Sequence, residues 1–123
     1  MKNAFIILCL LASGCCASKQ NADAAKGGDG TATPTPTCIN EMIKGFASAE
    51  KANPPRKIFS YTYQGKIVYY VPAICCDFYS DLYDAQCKLL GHPDGGITGK
   101  GDGKLPDFTT AKSNEKLVWE DNR

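Results

Sequence analysis

The residues best suited to chemistry are Cys38, Cys75, Cys76 and Cys87, two of them adjacent in the run Cys75-Cys76-Asp77. Thiolates are nucleophiles, redox centres and soft metal ligands that favour Cu(I) or zinc. A metal-binding or thiol-redox site would centre on Cys75 and Cys76, with His92 or Asp77 beside them and the aspartates of the glycine-rich loop. Against zinc, there is no CxxC and no second ligand pair at zinc spacing. The other reading is scaffold, and four cysteines allow three pairings. Adjacent cysteines seldom bond each other, because the ring is strained. The expectation is therefore two bridges, with Cys75 and Cys76 each reaching a different partner, Cys38 or Cys87.

The second unusual stretch is GHPDGGITGKGDGK, from Gly91 to Lys104. It is not a P-loop: counting back from Gly99-Lys100, Asp94 stands where the first glycine is required, and Gly101 replaces the Ser/Thr. Asp94, Asp102 and Asp107 are hard oxygen ligands, but their order fits no EF-hand. A tight loop using several positive φ values accounts for the glycines; a weak calcium site or an anion nest are the alternatives. His92 is the only histidine, and nothing in its spacing pairs it with Ser80 or a cysteine as a nucleophile. The acids Asp77, Asp81 and Asp84 suit turn and edge positions better than a paired-carboxylate site. No catalytic constellation emerges, no metal or other cofactor is expected, and the chain reads as a non-enzyme.

The elements that must position these residues occupy only part of the chain. Met1-Lys2-Asn3, the apolar run Ala4–Ala12 and Ser13-Gly14 before Cys15 have the layout of a secretory signal over 1–14. The apolar run is about half of the ~20 residues a membrane span needs. LASGC resembles the bacterial lipobox, apart from Ala12 where the consensus has leucine. Cys15 is the expected lipidation site, with Cys16 as a fallback and an ordinary secreted protein as the bland reading. Stable anchoring would take two or more acyl chains. Residues 15–37 then form the lipidated N-terminus and a tether. From Ala17 to Thr37 the chain holds no aromatic and no large aliphatic residue, so it is expected to be disordered, with a reach of roughly 25 Å.

Residues 38–123 remain for one small domain, whose core alone is marginal and calls for covalent staples. Charge is balanced, with 14 Lys+Arg against 13 Asp+Glu, so no nucleic-acid partner is expected. Ile39, Met42, Ile43 and Phe46 recur at helical spacing after a Thr37 cap, and Asn53-Pro54-Pro55 stops the helix. Two strands follow, Lys57–Tyr63 and Lys66–Val71. A three-residue turn, Tyr63-Gln64-Gly65, pairs Tyr61 with Ile67 and Phe59 with Tyr69, separating apolar from polar faces more cleanly than a two-residue turn. The aromatic face should then receive the helix. Ser80–Asp84 and Lys88–Leu90 read as a second hairpin, and Lys116–Glu120 as a closing strand. The fold class is α+β: one N-terminal helix packed on a small antiparallel sheet of four or five strands, stapled by disulfides.

The segments YQGKIVYYVPA, CCD, LYDAQ, HPDGGITGKGDGK and PDF, with the closing LVWEDNR, resemble a domain-of-unknown-function family of small Bacteroidetes-type envelope lipoproteins. The resemblance covers most of the folded part. It implies an exported protein, lipid-anchored in the bacterial envelope, with no established activity. Relatives often carry glycine at the position of Cys87 and cysteines near Gly91 and Leu105. The hairpin-and-helix plan is also loosely similar to small periplasmic PepSY-type or inhibitor-like domains, as fold analogy alone. The functional expectation is a membrane-anchored interaction module that binds an envelope protein or small ligand. Tyr63, Tyr70 and Tyr79, as exposed rings, and the loop acids Asp94 and Asp102 are the candidate contacts. The alternative function is a metal-binding or thiol-redox lipoprotein, its site centred on Cys75 and Cys76 with the aspartates of the glycine-rich loop.

Overall fold

The structure is a computed structural model that describes residues 33–123. The signal over 1–14, Cys15 and the tether as far as Ala32 lie outside the described residues. The elements are α1 (Thr37–Ser48), β1 (Lys57–Tyr63), β2 (Lys66–Val71), β3 (Asp81–Asp84), β4 (Leu89–Gly91), α2 (Phe108–Ala111) and β5 (Ser113–Glu120). One main helix thus accompanies a five-stranded antiparallel sheet of order β4-β3-β2-β1-β5.

β1 and β2 are rich in aromatic and β-branched residues, which suit a pleated surface. Their register corrects the sequence-based expectation. Gln64 and Gly65 form a two-residue turn with φ of 49° and 75°, so Tyr61 faces Val68 and Phe59 faces Tyr70. Two positive φ values give a mirror-image turn, whose twist matches that of the strands. A three-residue turn would leave one face polar. This sheet instead buries apolar side chains on both faces, so that criterion did not apply.

On one face Tyr61, Tyr63, Val68 and Leu82 close around Phe108, with Phe59, Tyr70, Leu90 and Leu105 packed against them. The ring of Phe108 meets Tyr61 and Tyr63 edge-on, at 5.7 and 5.3 Å between centroids. On the other face Ile58 and Tyr69 form a buried cluster with Ile39 of α1, joined by Met42, Phe46, Tyr83 and Trp119. The aromatic face therefore receives α2 and its approach, and the α1 side chains belong to the opposite cluster.

α1 begins at Thr37 itself. Pro36 stands at the cap position with no side-chain bond, and its carbonyl accepts the amides of Ile39 and Asn40 at 3.0 and 3.1 Å. The helix stops at Ser48, five residues before Asn53. Its last carbonyls are met by the guanidinium of Arg123, which donates to Ala47 (2.7 Å), Ala49 (2.9 Å) and Phe46 (3.1 Å). The same group grips buried Asp121 in a two-pronged pair at 2.7 and 2.8 Å.

The disulfides also correct the expectation. Cys38 bonds Cys87, with Cα atoms 5.9 Å apart, and Cys75 bonds its neighbour Cys76. The first turn of α1 and the β3–β4 turn lie side by side, which takes both distant partners at once. Cys75 and Cys76 are left in one exposed bend with each other.

Candidate functional site

The strand pairings place the two longest connections at the same end of the sheet: the 72–80 stretch leaving β2 and the 92–107 stretch leaving β4. Backbone hydrogen bonds brace them. Ser80 N donates to Asp94 O (3.2 Å), Gly96 N to Phe78 O (3.0 Å), and Asp102 N to His92 O (2.9 Å). Gly95 and Gly101 make this approach possible. Both have positive φ, and a Cβ on either would strike backbone, the Phe78 carbonyl for Gly95 and the His92 carbonyl for Gly101. The loop thus takes the left-handed backbone its composition demands.

Side chains complete the brace. The Tyr70 hydroxyl donates to Asp94 Oδ2 at 2.7 Å and lies 3.2 Å from Ser80 Oγ. Burial pushes that hydroxyl up to about 12; the Asp94 carboxylate adds to this and Ser80 opposes it, so Tyr70 stays a donor at neutral pH. Ser80 Oγ accepts the Ala73 amide at 2.9 Å. His92 Nδ1 sits 2.8 Å from Asp81 Oδ1 and 3.3 Å from the Ser80 carbonyl. Both neighbours are acceptors, so that nitrogen carries the proton. The Tyr79 ring stacks on His92 at 5.0 Å.

Serine, histidine and aspartate thus come together without forming a nucleophilic triad. Such a triad needs the hydroxyl on one imidazole nitrogen and the carboxylate on the other. Ser80 is 2 % exposed and its oxygen is engaged by Ala73 and Tyr70. Only its carbonyl meets the ring. The arrangement holds two loops; it does not activate an oxygen.

The candidate contacts separate sharply. Tyr63 is 4 % exposed; its hydroxyl donates to Asp107 at 2.7 Å, and that bond foremost raises its pKa. Tyr70 is half-buried in the brace. Both were expected as exposed rings, and a distant carboxylate draws each inward instead. Tyr79 remains at the surface, 48 % exposed. Asp94 is committed to Tyr70. Asp102 turns its loop by accepting the Lys104 amide at 3.0 Å, and that backbone bond leads the causes that lower its pKa. Among the described residues no group of three or more His, Cys, Asp or Glu is placed to hold a metal.

Sequence reasoning missed Phe78 and Ile97, which are 65 % and 90 % exposed. Backbone contacts of Phe78 with Gly96 and of Tyr79 with Gly95 bring their two stretches of chain together, and the exposed Cys75–Cys76 bend precedes Phe78. The signal was available for Ile97, a large aliphatic residue stranded in a glycine-rich loop. The result is a rim of Phe78, Tyr79 and Ile97 on rigidly braced loops.

Residues 44–121 match the family described as Domain of unknown function (DUF6970). The chain belongs to that family. The matched span takes in all five strands and both braced loops, and of the bridging cysteines it leaves out only Cys38. No curated protein and no solved structure matches the chain.

Proposed function

We propose that this protein is an exported lipoprotein, acylated at Cys15, whose domain binds an envelope partner without bond-making chemistry of its own. In this reading α1 lies on the Ile58–Tyr69 face of the sheet and carries the tether at its N-terminus. The observation that supports it is the apolar rim of Phe78, Tyr79 and Ile97, held outward by loops whose own polar groups are spent on each other. Rigid aromatic and aliphatic side chains supply contact area at low entropic cost. The test is a photo-crosslinking amino acid placed at position 78 or 97 in cells, with position 117 as the exposed control. A discrete adduct from 78 and 97 that is absent from 117 supports the reading. Adducts of equal yield at all three, or none, would sink it. Mass spectrometry of the mature N-terminus tests the anchor separately: a free or absent Cys15 removes it.

A second reading is favoured by the exposed Cys75–Cys76 pair. Here the domain is a thiol-redox protein: a dithiol partner is oxidised to its disulfide, and Cys75 and Cys76 take up two electrons and two protons as thiols. Non-reducing peptide maps from intact envelopes discriminate the two. A pair oxidised under all growth conditions leaves the binding module; a pair found partly as thiols supports exchange.

A further inference from the structure

The bend that leads into the rim is tied by a bond that chemistry can open. Cys75 and Cys76 are both exposed and bonded to each other. Their bridge joins neighbours, so opening it frees no stretch of chain. The Cys38–Cys87 bridge differs on both counts: its residues are partly buried, and it spans a sequence separation of 49. A reductant therefore meets the Cys75–Cys76 bridge first, and its action there leaves the fold standing.

The backbone shows what that bridge holds. The Phe78 amide donates to the Cys75 carbonyl at 3.2 Å, so residues 75–78 form a turn in which Cys76 is the first central residue. Cys76 has φ of 56°, in left-handed backbone. Glycine, asparagine and aspartate dominate turns of that hand, because a Cβ resists it. A cysteine brings no such preference. Among the described residues no side-chain hydrogen bond reaches the backbone of residues 74–78, so the bond to its neighbour is the tie that remains. From Phe78 onward other bonds take over. The Phe78 carbonyl accepts Gly96 N at 3.0 Å, and Ser80 N donates to Asp94 O at 3.2 Å. Phe78, a rim residue, stands where the one regime gives way to the other.

We propose that the Cys75–Cys76 bridge is a redox switch for the Phe78 side of the rim. An external dithiol is oxidised to its disulfide, and its two electrons and two protons pass to Cys75 and Cys76, which become thiols. Cys76 then relaxes to negative φ, the turn opens, and the Phe78 side chain loses its fixed direction. The brace keeps Ser80 and the loop of Ile97 in place. Reoxidation restores the turn. The pair thus acts on the protein's own surface, and its consequence for binding rests on the rim being the binding surface.

The test is NMR of the full-length protein in three forms: oxidised, the Cys75→Ser with Cys76→Ser variant, and protein treated with dithiothreitol until peptide mapping finds only Cys75 and Cys76 as thiols. Backbone order parameters at Cys76, Asp77 and Phe78 should fall from about 0.85 to below about 0.6, with those of Ser80 and Ile97 unchanged. Cys75→Ser with Cys76→Gly supplies the positive φ without a bridge. It should return the Phe78 resonances toward their oxidised positions. Unchanged order at 76–78 in the thiol and serine forms overturns the proposal. So does a loss of order that spreads to Ser80 and Ile97, or a glycine variant whose Phe78 resonances stay with the serine form. None of these readouts needs a partner. Crosslinking in cells then separates the switch from the rim reading. Adducts from position 78 that are lost in the serine variant, while those from 97 persist, support control of binding; equal adducts from 78 in both forms overturn it. Adducts from neither position in the oxidised protein remove the rim reading, and the order parameters alone then decide the switch.

Discussion

The two ends of the sheet are built on different principles. At one end, chain-local geometry closes both turns. Gln64-Gly65 joins β1 to β2 in two residues, and Asp84 Oδ1 accepts the amides of Gln86 and Lys88 at 2.9 Å each to turn β3 into β4. The Cys38–Cys87 bridge fastens the start of α1 to that turn. At the other end little closes locally. The 72–80 and 92–107 stretches are ordered by bonds to each other, and α1 is finished by Arg123, 74 to 77 residues away. The second end is also where the apolar side chains of Phe78, Tyr79 and Ile97 are left facing out.

The largest effect should come from opening the covalent end. The Cys38–Cys87 bridge spans a sequence separation of 49, so chain entropy alone assigns it about 4 kcal/mol. Cys38→Ser with Cys87→Ser should therefore leave the domain close to unfolded in urea titrations. Cys75→Ser with Cys76→Ser removes a bridge between neighbours, which closes no loop. Its midpoint should move by no more than about 0.5 kcal/mol. Equal losses in the two variants would erase the distinction between the ends.

Glycine substitutions sharpen the same contrast at smaller scale. Gly65 has φ of 75° but open space around its Cβ position, so Gly65→Ala should cost about 1–2 kcal/mol for the left-handed backbone alone. At Gly101 the same φ penalty is joined by a collision with the backbone of His92, Pro93 and Asp94. Gly101→Ala must part the two loops, and should cost about 3 kcal/mol or more, adding loss of the brace to the φ term. Thermal melting of the pair decides it, and a Gly65→Ala loss equal to that of Gly101→Ala would mean the loops are not braced.

Strand limits were legible in the sequence because local signals set them. Tyr-Gln-Gly-Lys and Pro72 delimit β1 and β2 correctly, because turn residues act over two or three positions. Register failed because it depends on what covers each face, and the burial of Phe108 could not be read from a four-residue helix without periodicity. The bridge partners failed because they require α1 to lie beside Cys87. Tyr63 and Tyr70 were misplaced at the surface because their carboxylates, Asp107 and Asp94, come 44 and 24 residues later. Arg56 and Arg123 look alike in sequence. Only the fold shows Arg123 bonded to Asp121 and three carbonyls and Arg56 laid over Phe46.

A milder, pH-dependent effect should arise at the loop end. Arg123, by its side-chain hydrogen bonds above all, holds the Asp121 carboxyl down from 3.8 to about 2. A depressed carboxylate contributes stability that is present above its unfolded pKa, and this is lost as pH falls through the folded one. The melting temperature should thus drop between about pH 4 and pH 2. Arg123→Gln should lower the neutral-pH melting temperature by several degrees and flatten that slope. A slope unchanged in the variant would assign acid sensitivity elsewhere.

The smallest effect on stability is the most informative for function. Phe78 and Ile97 contribute little to the core, so Phe78→Ser and Ile97→Ser should change stability by no more than about 0.5 kcal/mol. Phe108→Ala, whose ring is fully buried, should lose about 3–5 kcal/mol. Neither exposed side chain is needed by the core, and the proposed function uses both as contacts. On the proposed function, the two substitutions should remove the crosslinks formed near the rim while the fold stays intact. A clear loss of stability in either variant would instead make the rim part of the fold, and the binding surface would have to be sought elsewhere on the domain.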